Sequence, residues 1–114
     1  MKKQSDTDLQ QDYLDAMKLT ADHMAADSPA RAAEVFSKFA AELKQQSGRE
    51  FAELRVIALF SLCRMQERLG QTQESERTRQ EAVAMLDQFG APGNSLHIED
   101  RLADVLVEFG EYRR

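Results

Sequence analysis

The run from Val56 to Cys63, V-I-A-L-F-S-L-C, constrains the fold of this chain more than any other feature. It is apolar nearly all the way round, so no amphipathic period governs it. Glu50 to Leu54 and Arg64 to Leu69 flank the run with good helix formers, which predicts one helix over Arg49–Leu69 rather than a short buried strand. A helix that is apolar on every side packs against several neighbours at once. This segment is therefore predicted to be the central helix, and the rest of the chain must supply its partners. The chain turns polar beyond Arg64, well short of the ~18 apolar residues of a membrane span, so no membrane role is expected.

The partners follow from apolar spacing and helix-end signals. In the first predicted helix, about Asp6 to Ala26, Ser5 is a suitable cap and Asp8 places a carboxylate at the positive end. Leu9, Tyr13, Ala16, Met17, Thr20 and Met24 recur on one face, while Asp8, Asp12, Asp15 and Asp22 recur on another. Asp27-Ser28-Pro29 ends that helix and starts a second, with Ser28 as cap and Pro29 at the first helical position. Its buried face is Ala32, Val35, Phe36, Phe39, Ala40 and Leu43; Lys44 suits the dipole and Gly48 is expected as a left-handed stop.

Gly70 closes the central helix, and Thr72 is expected to cap a fourth helix running to about Gln88. Apolar residues gather only in its second half, at Ala82, Val83, Met85, Leu86 and Phe89. In the exposed first half, Ser75 and Thr78 alone are small enough to approach a neighbour. Gly90-Ala91-Pro92-Gly93-Asn94 is the longest link. Ser95 then caps a fifth helix with the stripe Ile98, Leu102, Val105, Leu106 and Phe109, stopped by Gly110.

The expected fold is all-α: five helices forming two antiparallel hairpins and a C-terminal capping helix. At 114 residues the chain suits a single domain, with residues 1–5 and 111–114 as flexible ends. Leu19-Thr20 is followed by Ala32 thirteen residues after the leucine, then Phe36; Leu62-Cys63 is followed by Gly70, by Ser75 at the same offset, then Ala82. This resembles the tetratricopeptide repeat, in which a leucine and a small residue on one helix face a small residue on the next. The Ala32–Phe36 pair matches the second-helix pattern, and Leu59, Leu62 and Gly70 resemble the first. The resemblance covers about residues 9–89. It departs in the offset from Ala32 to Ser75, which is 43 residues where the standard repeat has about 34. Gln66 and Arg79 stand where the motif prefers aromatics, and the closing proline is missing. A five-helix bundle without repeat ancestry fits the same pattern.

Catalytic chemistry is not expected. Cys63 lies mid-run, where a thiol behaves as a small inert hydrophobe. The two histidines have only scattered carboxylates near them: Asp27 for His23, and Asp100 or Asp104 for His97. Neither set resembles a metal site, so no metal is expected. All five glycines read as helix stops or belong to one loop, leaving no phosphate-binding loop and no expected cofactor. A net charge of -5 disfavours nucleic-acid binding, which needs a basic footprint. Arg64, Arg68, Arg77 and Arg79 form a local basic cluster, but Glu67, Glu74 and Glu76 interleave with them, as on a mixed solvated face. With one cysteine and no apolar leader, a cytoplasmic location is expected.

Another protein is the expected partner. The first reading is an adaptor or chaperone-like module that binds a peptide or helix in a groove along the first and central helices. Met17, Met24 and Met65 would line that groove, or else fill core gaps. The second is a small acidic inhibitor or immunity protein covering a basic site on a nuclease or toxin. Asp8, Asp12, Asp15 and Asp22, with Glu99, Asp100, Asp104 and Glu108, would carry that role. The third is a homodimeric scaffold joined through Ile98, Leu102, Val105, Leu106 and Phe109.

Overall fold

The computed structural model describes residues 6–24 and 27–89, and among them the regular structure is all helical. Helix α1 spans Asp6–His23, α2 Pro29–Lys44, α3 Arg49–Arg68 and α4 Thr72–Phe89. The expected fifth helix, with Ile98, Leu102, Val105, Leu106 and Phe109, lies outside the described residues, as do Ser5 and the expected flexible ends. No described helix is long and apolar enough to cross a membrane.

The helix ends correct the expected boundaries in three places and keep Ser28 directly before α2. α1 ends at His23, short of the expected Ala26. Ser28 occupies the N-cap of α2 and its carbonyl accepts the Ala32 amide at 2.9 Å, but its side chain makes no capping bond. Gly48 precedes α3 at φ 114° instead of stopping α2, whose last carbonyls take the Gln45 and Gln46 amides at 3.1 Å each. Thr72 is the first residue of α4 rather than its cap, and the Gln71 carbonyl accepts the Ser75 amide at 2.9 Å.

α3 is the centre of the fold. Phe51, Leu54, Val56, Ile57, Ala58, Leu59, Phe60, Cys63 and Met65 are all buried on this one helix. Burying an aromatic or branched aliphatic side chain stabilises a fold by about 1.5–3 kcal/mol, so one helix carries most of the described core. α2 adds Ala32, Phe36, Ala40 and Leu43, whereas α1 adds Met17 and Thr20, and α4 adds Ser75, Thr78 and Ala82. α2 and α4 pack most extensively on α3, and α1 lies more lightly against α2 and α3. α3 and α4 run antiparallel. Arg55 meets Glu81 while Cys63 meets Ser75, so position rises along α3 as it falls along α4.

Two polar side chains tie these layers together. The Arg55 guanidinium donates from Nε to the Ala40 carbonyl of α2 at 3.2 Å and from Nη1 to Met85 Sδ of α4 at 3.0 Å, and it pairs with Glu81. Tyr13 of α1 donates its hydroxyl to Glu42 Oε1 at 3.3 Å and sets its ring edge-on to Phe39, with centroids 6.0 Å apart. Glu53, which the sequence pattern places among ordinary helix formers, is fully buried in α3.

Candidate protein-interaction site

Small residues let α3 and α4 approach closely. Ser75, Thr78 and Ala82 fall at helical spacing on α4 and are buried, as their size predicts, while Gln73, Glu74, Glu76 and Arg77 remain exposed. Cys63 Sγ lies 3.3 Å from the Ser75 carbonyl oxygen, 3.2 Å from Ser75 Oγ and 3.6 Å from Glu67 Oε1. One thiol proton serves these neighbours in turn. Thr78 Oγ1 lies 2.8 Å from Gln66 Oε1 and 2.9 Å from the Glu74 carbonyl oxygen. Burial raises the Cys63 pKa above its ordinary value, the Ser75 hydrogen bond opposes the shift and the Glu67 carboxylate adds to it. The thiol is thus held protonated, as expected of an inert core cysteine.

Above this crossing, longer side chains diverge and leave an open cleft of about 810 Å³. Arg64, Glu67 and Arg68 form its α3 wall; Thr72, Ser75, Glu76 and Arg79 form its α4 wall. The first turn of α4 opens into it at Thr72, and a helix N-terminus carries positive potential. Three guanidiniums and two carboxylates share the lining. Arg79 approaches Glu76 at 3.8 Å, whereas Arg77 pairs with Glu74 at 3.7 Å outside the lining. Of the interleaved charges that read as a mixed solvated face, Arg64, Glu67, Arg68, Glu76 and Arg79 line this cleft. The sequence carried a signal in Arg64 and Arg68, one turn apart, but not the fact that Arg79 stands opposite them.

A smaller space of about 480 Å³ lies where α2 faces the end of α3, lined by Ala30, Ala33, Leu62 and Leu69 among others. Its charged lining is a single carboxylate, Glu34.

The expected site residues fall into two groups. Asp8, Asp12, Asp15 and Asp22 are all exposed on α1, and Gln11 Nε2 donates to Asp15 Oδ1 at 2.9 Å. Met17 and Met65 are each 2% exposed and fill the core, so neither faces a surface groove, and Met24 is half-buried at the core's edge. The cleft described above lies along α3 and α4, whereas the expected groove was one along α1 and α3. Of the two leucines in the Leu–small pairs, Leu62 is half-buried but Leu19 is 58% exposed. His23 is exposed, and among the described residues no three His, Cys, Asp or Glu side chains are grouped to hold a metal ion. Comparison of the chain with protein-family models, with curated proteins and with solved structures finds no match.

Proposed function

We propose that this protein is a non-enzymatic interaction module, adaptor- or chaperone-like, that holds a peptide segment or helix of a partner protein in the cleft between α3 and α4. The observation that carries this reading is the cleft itself. Its walls stand off two helices whose contact is already satisfied beneath by Cys63, Ser75, Gln66 and Thr78. Glu67, Arg68 and Glu76 are exposed along it, and Arg64 and Arg79 are half-buried in its walls. Helical hairpins, in tetratricopeptide-like arrangements among others, present surfaces of this kind to partner segments. A photocrosslinking residue at Thr72, in the cleft, is expected to capture a discrete partner in the native host. The same residue at exposed Lys38 on α2 is not. Equal capture at both positions, or none at Thr72, overturns the reading.

The acidic-inhibitor reading rests on a separate observation, the exposure of Asp8, Asp12, Asp15 and Asp22 on one face of α1. It requires a basic partner that is lost as salt rises, and whose capture is abolished by Asp12→Lys with Asp15→Lys. A partner indifferent to both removes it.

A further inference from the structure

Building on the cleft as the partner site, we infer that it selects acidic peptide segments, in which two or three carboxylates are interspersed with neutral or basic residues. Arg64 and Arg68 stand one helical turn apart on α3, about 6 Å, and Arg79 faces them from α4 across about 810 Å³ of open space. A segment lying along the cleft therefore passes between cations on both walls. Each of these arginines already interacts within the protein. A guanidinium carries five N–H donors, however, so an internal contact leaves others for a second acceptor. Planar guanidiniums match carboxylates in bidentate geometry, and the N-terminus of α4 at Thr72 adds positive potential at the mouth.

Glu67 and Glu76 in the same lining decide against a continuous polyanion. A nucleic-acid strand would bring phosphates against both carboxylates, on a protein whose net charge is -5. A peptide can place carboxylates at the arginines and an amide, lysine or arginine at the glutamates. The smaller space by α2 has no cation in its lining and would not share this preference.

The test is selection of a random dodecapeptide phage library on the full chain and on Arg68→Gln, which alters an exposed side chain; a thermal melt checks that the variant is folded. Selected sequences are expected to be enriched in Asp and Glu. Synthetic versions should bind the variant at least tenfold more weakly and should lose affinity when their Asp and Glu become Asn and Gln. Selected sequences that crosslink at Thr72 but show no acidic enrichment would sink the inference and leave the interaction reading standing. A library yielding nothing that reaches the cleft would sink both. An oligothymidylate that displaces the selected peptides and binds more tightly than they do would overturn the choice of peptide over nucleic acid.

Discussion

The Arg55 guanidinium reaches from α3 to both α2 and α4, and its side chain is only 14% exposed. A charge so placed is held by its acceptors, and hydrogen bonds from a charged group contribute about 1.5–3 kcal/mol each when both partners stay paired. Arg55→Met keeps much of the packed stem and removes every donor. It is expected to cost about 2 kcal/mol in urea denaturation, and an unchanged midpoint would show that the contacts carry no net stability. Cys63 and Tyr13 act through their protons. Both pKa values are raised, chiefly by burial, and for Tyr13 the Glu42 carboxylate adds to the shift. The folded state therefore holds these protons more tightly than the unfolded chain. The resulting stability is complete below the ordinary values of 9.0 for the thiol and 10.0 for the phenol, and drains away as pH rises through the higher folded values. Denaturation followed from neutral to alkaline pH should show this loss, and Cys63→Ala should flatten its thiol-dependent part. A profile identical in the variant would remove the thiol from the account.

At the scale of the helices, the end of α3 shows how one residue type fixes a boundary. Gly70 has φ 75°; its amide donates to the Glu67 carbonyl at 3.0 Å and the Gln71 amide donates to the Gln66 carbonyl at 2.9 Å. This is the Schellman arrangement, which needs a left-handed residue at that position. A Cβ built on Gly70 meets nothing within 4 Å, so the cost of replacing it is conformational alone. Gly70→Ala is expected to lose about 1 kcal/mol and Gly70→Asn less, because asparagine tolerates the left-handed region. Equal losses would point to a steric cause instead. This boundary was legible in the sequence because its physics is local, and so were Pro29 at the start of α2 and the buried positions Ala32, Phe36, Ala40 and Leu43. Thr72 was misplaced by one position because Gln71 already supplies the carbonyl that opens α4. The burial of Glu53 and the role of Arg55 were not legible, since each depends on which helices close around it. The same holds for the cleft: spacing puts Arg64 and Arg68 on one face, but only the antiparallel docking of α4 brings Arg79 across from them.

In the whole molecule, the apolar run that sets the fold also sets the order in which its parts should open. α3 is enclosed by α2 and α4 and carries most of the described buried apolar side chains, whereas among the described residues of α1 Met17 and Thr20 are the buried ones and the helix packs more lightly. Segments with few buried contacts open at lower free energy than the core. Amides from Leu54 to Cys63 are therefore expected to exchange with solvent only through global unfolding. Those from Tyr13 to Thr20 should exchange through a smaller opening that leaves α3 intact. Tyr13→Phe tests the connection, since it removes the bond to Glu42 and keeps the ring against Phe39. It should speed exchange in α1 and leave α3 protected. If α1 and α3 instead exchange at one common free energy, and the variant lowers both together, then α1 is part of a single cooperative unit despite its light packing. In that case the Tyr13–Glu42 contact belongs to the global stability of the fold. If they separate, the α3–α4 cleft rests on the most stable part of the molecule, and α1 can detach without disturbing it.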